Sequence, residues 1–173
     1  MKTVYLCGFM GCGKSTVGKA LAAALGVPFT DMDAYITEKS GMSIPEIFAE
    51  KGERYFRELE SEAMLELGEK GGVTACGGGA LLRPKNADIA SKCGIAVYLS
   101  LPFDSCYERI KGDKNRPIVA VNTKDELEAV YNERVPVYKE HSGVEISAEG
   151  APAEVAEKII SVLEAVYGKN FLC

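Results

Sequence analysis

Short apolar runs alternate along the chain with longer stretches whose apolar positions recur every three or four residues. That is the pattern of strands feeding helices in an α/β domain with a parallel sheet. Residues 3–7, 28–31, 72–76, 95–99 and 144–146 read as five strands, and 14–25, 32–40, 43–50, 52–68, 84–93, 103–111, 124–141 and 152–166 as helices. Ser43-Ile44-Pro45-Glu46 carries a helix-start signature: a capping serine, an early proline and an acidic residue three positions after the cap. Residues 112–123 show neither period and begin polar and basic, so a mobile lid is expected there.

Directly after the first apolar run, Gly8-Phe9-Met10-Gly11-Cys12-Gly13-Lys14-Ser15 fits G-x-x-x-x-G-K-[ST], and a helix pattern follows from Thr16. Strand, glycine-rich loop and helix are the three parts a phosphate-binding loop needs. The glycines let successive N–H groups turn inward on a phosphate, the lysine adds a mobile positive charge, and the serine offers a hydroxyl to Mg²⁺. The helix dipole faces the same anion. Residues 8–16 therefore predict nucleoside triphosphate binding, with Gly11, Cys12, Gly13, Lys14, Ser15 and Thr16 around the phosphates.

A phosphate loop says where phosphate sits and not what receives it. The second strand ends in Asp31-Met32-Asp33, two carboxylates at the carboxyl end of a parallel strand, where ligands bind. In extended chain a spacing of two points both to one side. Asp31 is the candidate for orienting Mg²⁺ through water and Asp33 for contacting an acceptor hydroxyl; the alternative for either is capping the next helix. His141, the one histidine, is expected at solvent on a helix end. A hydroxyl acceptor needs no strong base when positioning and charge neutralisation carry phosphoryl transfer.

Composition narrows the setting. A length of 173 residues, 47% of them hydrophobic, suits one domain with an ordinary core. No apolar run approaches the ~18 residues of a membrane span, and no hydrophobic signal segment is seen at the start, so a cytoplasmic protein is expected. The 6 cysteines include no CxxC pair and read as reduced thiols, several of them buried; modification of Cys12, inside the phosphate loop, is expected to block the nucleotide. A net charge of −5 argues against general affinity for nucleic acid or an anionic membrane, so any anion must be held locally. Lys14, Arg57, Arg109, Lys111, Lys114, Arg116 and Arg134 are the basic residues able to hold one, the alternative being solvated surface charge.

Taken in order, the motifs resemble the shikimate kinase family over essentially the whole chain. The phosphate loop and Asp31-x-Asp33 are followed by the most distinctive stretch, Ser43-Ile44-x-Glu46-Ile47-Phe48-x-x-x-Gly52-Glu53-x-x-Phe56-Arg57-x-x-Glu60. Gly77-Gly78-Gly79, Arg116-Pro117 and Glu133-Arg134-x-Pro136-x-Tyr138 complete the set. The resemblance implies a P-loop kinase fold in one domain, residues 1–173: a five-stranded parallel sheet flanked by helices, a substrate-binding region at about 32–60 and a lid at about 112–124. It implies ATP-dependent phosphorylation of the 3-hydroxyl of shikimate, a step toward aromatic amino acids, by a monomer using Mg²⁺.

It implies site roles as well. Lys14, Asp33 and Arg116 are the catalytic set, and Asp33, Arg57, Gly78 and Arg134 the substrate set. Arg109 and Pro152 join the phosphate loop and Arg116 at the nucleotide, and Ser15 and Asp31 serve the metal. Two arginines suit a planar carboxylate, which accepts two parallel N–H bonds at once, and Glu60, three residues after Arg57, is placed to hold its guanidinium. On residue type alone Arg57 could instead form a surface ion pair with Glu60 or Glu53, Arg109 could be a helix-face cation near Glu108 and Asp104, and Gly77-Gly78-Gly79 could be a flexible turn. Ile118-Val119 stand where leucines are usual, and the loop Glu149-Gly150-Ala151-Pro152 lacks a basic residue. The rivals are a related small-molecule kinase, such as a gluconate kinase, and a non-catalytic nucleotide-binding regulator.

Overall fold

A computed structural model of the chain describes residues 2–112 and 121–168. The strands are β1 (Thr3–Cys7), β2 (Phe29–Asp31), β3 (Val73–Ala75), β4 (Gly94–Ser100) and β5 (Val144–Ser147), in the order β2-β3-β1-β4-β5 with every neighbouring pair parallel. The helices are α1 (Lys14–Leu25), α2 (Met32–Ser40), α3 (Ile44–Lys70), α4 (Pro84–Cys93), α5 (Phe103–Ile110), α6 (Lys124–His141) and α7 (Pro152–Tyr167). Because all strands run the same way, the loops that leave their carboxyl ends gather along one edge.

β1 is buried at all 5 residues, as a central parallel strand covered on both faces must be. Its alternation assigns the two cores. Val4 and Leu6 pack with Val17, Leu21, Ile159 and Leu163 of α1 and α7 on one face. Tyr5 and Cys7 pack with Met64 and Leu67 of α3, Tyr98 of β4 and Tyr138 of α6 on the other. Val73 and Val97 join the first face and Ala96 the second, so neighbouring strands repeat the period of two.

The two helices expected at 43–50 and 52–68 are both present and meet within α3 across a kink at Gly52, whose φ of 81° and ψ of 169° are not helical. Ser43 caps it with a full capping box: Ser43 Oγ accepts from the Glu46 N–H at 3.4 Å while Glu46 Oε2 accepts from the Ser43 N–H at 2.7 Å. Thr123 and Glu126 form the same device at the start of α6. A short 3₁₀ turn at Ala80–Leu82, following the glycine run, has no counterpart in the sequence pattern. Most of the segment expected to be a lid, residues 113–120, lies outside the described residues, and with it Arg116. Among the described residues no helix is long and apolar enough to cross a membrane.

Candidate active site

β1 delivers the chain into the phosphate loop at the carboxyl edge of the sheet. Gly11 and Gly13 adopt φ values of 81° and 101°, a region that costs other residues heavily. A side chain at Gly11 would also meet the carbonyl of Cys106, its Cβ lying 2.6 Å from that oxygen. The loop is held ready for an anion: Lys14 Nζ folds back to donate to the carbonyls of Gly8 and Phe9 at 2.8 and 3.0 Å. Cys12 lines this loop yet is 1% exposed, which limits the reagent access that sequence position alone suggests. Burial also pushes the neighbouring thiols of Cys7 and Cys106 up to about 12 and that of Cys76 well above its ordinary value, so these three are poor nucleophiles.

Asp31 does two jobs at once. Its Oδ1 accepts from the N–H groups of Asp33 and Ala34 at 3.2 and 3.4 Å, capping α2, while its Oδ2 accepts from the Ser15 hydroxyl at 2.8 Å. Capping and a place beside the phosphate loop, posed as alternatives by the sequence, are both realised. The expectation that Asp31 and Asp33 share one side of an extended strand is corrected. Asp31 closes β2 and Asp33 sits in the first turn of α2, so what brings both into the cleft is the turn of the chain.

A cleft of about 500 Å³ follows the carboxyl edge. Gly11, Cys12, Gly13, Lys14, Ser15 and Thr16 line it together with Asp31, Asp33, Gly78, Arg109 and Pro152. Arg109 is exposed at its rim and donates to the Gly11 carbonyl at 3.2 Å. The carboxylates near it in sequence have other partners, Asp104 pairing with Lys124 and Glu108 with Lys111. Pro152 opens α7, whose first turn is closed by Glu154 Oε2 accepting from the Ala151 N–H at 3.0 Å.

The three consecutive glycines decide how the other end of the cleft is assembled. A Cβ built on Gly77 would lie 2.7 Å from Asp33 Oδ1 and 3.3 Å from Glu60 Oε1. One on Gly78 would lie 3.8 Å from Arg134 Nη1, and one on Gly79 only 2.6 Å from Arg57 Nη1. Asp33 from α2, Arg57 and Glu60 from α3 and Arg134 from α6 thus converge on one turn, and the absence of side chains there is what lets them approach.

Arg57 is both paired and placed. Nη1 donates to Glu60 Oε2 at 2.7 Å, while Nε and Nη2 donate to Glu53 Oε1 at 3.1 and 2.9 Å. Burial works against the guanidinium charge, but Glu60 and Glu53 outweigh it and hold the group above its ordinary value. Glu60 is only 1% exposed, and its burial pulls the carboxyl upward against the opposing pull of Arg57. Beside this pair the Phe48 and Phe56 rings meet at 4.9 Å, giving the region an apolar wall.

Three further side chains fix the turn, and sequence reasoning assigned none of them a role. Tyr138 donates to the Gly78 carbonyl at 2.5 Å, Asn86 Nδ2 to the Ala80 carbonyl at 2.8 Å, and Arg83 Nη1 to the Arg57 carbonyl at 2.7 Å. His141 was expected at solvent; it is partly buried, with Nδ1 2.7 Å from the Leu81 carbonyl. The available signal was the spacing Arg134, Tyr138, His141, which places all three on adjacent turns of one helix.

A family model described as shikimate kinase matches residues 10–164. The shikimate kinase of Geobacter sulfurreducens is 46% identical over 139 residues, 79% of this chain and 77% of the relative. That of Persephonella marina is 40% identical over 163 residues, 92% of this chain and 98% of the relative. Among solved structures, shikimate kinase from Acinetobacter baumannii in complex with shikimate superposes with a TM-score of 0.89 at 37% identity, covering 98% of this chain and 96% of that one. A gluconokinase from Sinorhizobium meliloti reaches a TM-score of 0.58 at 16% identity, a likeness of fold alone.

Proposed function

The chain belongs to the shikimate kinase family, and from that premise we propose how its own residues transfer the γ-phosphoryl group of ATP to the 3-hydroxyl of shikimate, giving shikimate 3-phosphate and ADP. The observation that carries the assignment of roles is the convergence of Asp33, Arg57, Glu60 and Arg134 on Gly77-Gly78-Gly79, at the end of the cleft whose other end is the phosphate loop.

The backbone N–H groups of residues 11–16 and the Lys14 ammonium hold the phosphates, Lys14 giving up the carbonyls of Gly8 and Phe9 to do so. Arg57 and Arg134 take the shikimate carboxylate, with Glu60 keeping the Arg57 guanidinium oriented. The Asp33 carboxylate accepts from the acceptor hydroxyl and aligns it with the phosphorus, the positioning that phosphoryl transfer chiefly requires. Arg109 and Pro152 flank the base of the nucleotide, and the resemblance to the family assigns Arg116, outside the described residues, to the transferring phosphate.

Mg²⁺ belongs to the same proposal. A hydroxyl and a carboxylate in mutual contact, Ser15 and Asp31, fit a hard cation that keeps most of its waters, and among the described residues no cluster of three or more His, Cys, Asp or Glu offers a closed protein cage instead. Ser15 would ligate the ion directly and Asp31 through water; when bound, it neutralises phosphate charge. A working monomer belongs to the same proposal. The described cysteines are all free, which supports a reducing, cytoplasmic setting.

Coupled ADP release with shikimate, with gluconate and without acceptor tests the substrate. ADP formation is expected with shikimate alone, and equal rates with gluconate would overturn the assignment. An Mg²⁺ titration in the same assay should restore turnover lost to EDTA.

A further inference from the structure

The turn from Gly77 to Arg83 is held on one side by two residues of α6. The Tyr138 hydroxyl donates to the Gly78 carbonyl and His141 Nδ1 meets the Leu81 carbonyl, so one face of α6 grips the turn at two points. Arg134 lies one helical turn before Tyr138 on the same face. The space above Gly78 Cα is bounded by its guanidinium, a Cβ there falling 3.8 Å from Nη1. Burial pushes the Tyr138 phenol well up, and Arg134, acting on the same oxygen, works against that. The Tyr138 hydroxyl and the Arg134 guanidinium thus border the same residue, Gly78.

Two features make that hydroxyl a determinant of geometry. The Tyr138 ring is fully buried and stacked on Tyr98, with centroids 5.5 Å apart and planes 24° from parallel, so packing fixes where its oxygen lies. Between Arg134 and Tyr138 stands Pro136, inside the helix. Proline supplies no N–H to the carbonyl four residues earlier, so the helix is softened in the turn that carries Arg134. A softened turn needs an external tether to hold a guanidinium in register with a second element, and Tyr138 supplies it.

We propose that Tyr138 is a positioning residue for shikimate: its hydroxyl, bonded to Gly78 one helical turn from Arg134, sets the spacing between the glycine turn and the guanidinium that takes the substrate carboxylate. The proposal rests on the assignment of Arg134 to that carboxylate. Among the described contacts the Tyr138 hydroxyl bonds Gly78 and the ring stacks on Tyr98, both at the glycine-turn end of the cleft.

Tyr138→Phe keeps the stacked ring and deletes one hydroxyl, which makes it the decisive variant. Its KM for shikimate is expected to rise about tenfold, or ~1.4 kcal/mol, with kcat and the KM for ATP within about twofold of the parent. A purely structural role would instead lower the melting temperature and move both KM values together. The discriminating measurement is a double-mutant cycle. Arg134→Ala alone should raise the shikimate KM at least about tenfold, and adding Tyr138→Phe to it should cost less than about twofold more, because the group being positioned is gone. An unchanged shikimate KM in Tyr138→Phe, an equal rise for ATP, or a full tenfold increment on the Arg134→Ala background would overturn the proposal while leaving the carboxylate clamp intact. A normal shikimate KM in Arg134→Ala would overturn the clamp itself and this proposal with it.

Discussion

Gly79→Ala tests whether the glycine turn is a steric mould for Arg57 or a flexible connection. The backbone of Gly79 has φ −97° and ψ −12°, a conformation open to alanine without strain. The added methyl group would lie 2.6 Å from Arg57 Nη1 and 3.2 Å from Cζ and Nη2, far inside van der Waals contact. Because the obstacle is the tip of a long side chain, the protein can relieve the clash by swinging the guanidinium away, and folding should survive. Swinging breaks the 2.7 Å bond to Glu60 and removes the donor from where the substrate carboxylate would sit. A charge-assisted hydrogen bond contributes roughly 1.5 to 3 kcal/mol, which is about ten- to a hundred-fold in affinity. Gly79→Ala is therefore expected to raise the shikimate KM by about that factor, leave the KM for ATP unchanged, and retain a cooperative melting transition. Steady-state kinetics with each substrate varied in turn, alongside thermal melting followed by circular dichroism, reads all three. A folded Gly79→Ala enzyme with the parent's shikimate KM would refute the steric argument.

Lys14→Ala should abolish turnover while leaving the melting temperature close to that of the parent, since among the described residues Lys14 bonds loop carbonyls and the Cys12 thiol; substantial residual activity in a folded variant would reject its phosphate role. Asp33→Asn should cut turnover with nucleotide affinity nearly intact. Asp31→Asn should shift the Mg²⁺ dependence and also lose some stability, because Asp31 caps α2; calorimetric titration of Mg-nucleotide into both variants separates them, and equal binding defects would undo the division of labour. Glu60 predicts a pH effect: its pKa lies above the ordinary 4.5 because burial disfavours the charge, so on acidification it gains a proton earlier than an exposed carboxylate and releases Arg57. The shikimate KM should therefore rise as pH falls through a value above 4.5, and that acid limb should vanish in Glu60→Gln, whose KM is high throughout. The stability linkage has the opposite sense: a raised carboxyl favours the folded state when protonated, so this contribution is present below about 4.5 and is lost as pH rises through the folded value.

Local chemistry was legible without the fold. The phosphate loop is recognisable because its mechanism lives in contiguous residues, strand, glycines, lysine and hydroxyl, and the parallel sheet because apolar runs of strand length alternate with helical periods. The capping box at Ser43 could be read for the same reason, since cap and partner are three residues apart. The break at Gly52 was legible for the same reason: a glycine with φ of 81° interrupts the helical run, and two helices meet there across a kink.

Tertiary structure decided the rest. Arg57 and Arg134 stand on helices that no periodicity relates, and their meeting at the glycine turn follows from the strand order β2-β3-β1-β4-β5, which sets the neighbours of β3's carboxyl end. Asp33 reached the cleft by a route other than the one its spacing implied, because the chain turned from strand to helix between the two aspartates. His141 and Tyr138 became tethers of a segment 60 residues away, and neither a surface-like helix end nor an aromatic at helical spacing announces such a partner. Hydrogen bonds within a few residues are dictated by the local backbone and leave a trace in sequence. Those across sixty residues exist only because packing brings two surfaces together, and that packing is a property of the whole chain.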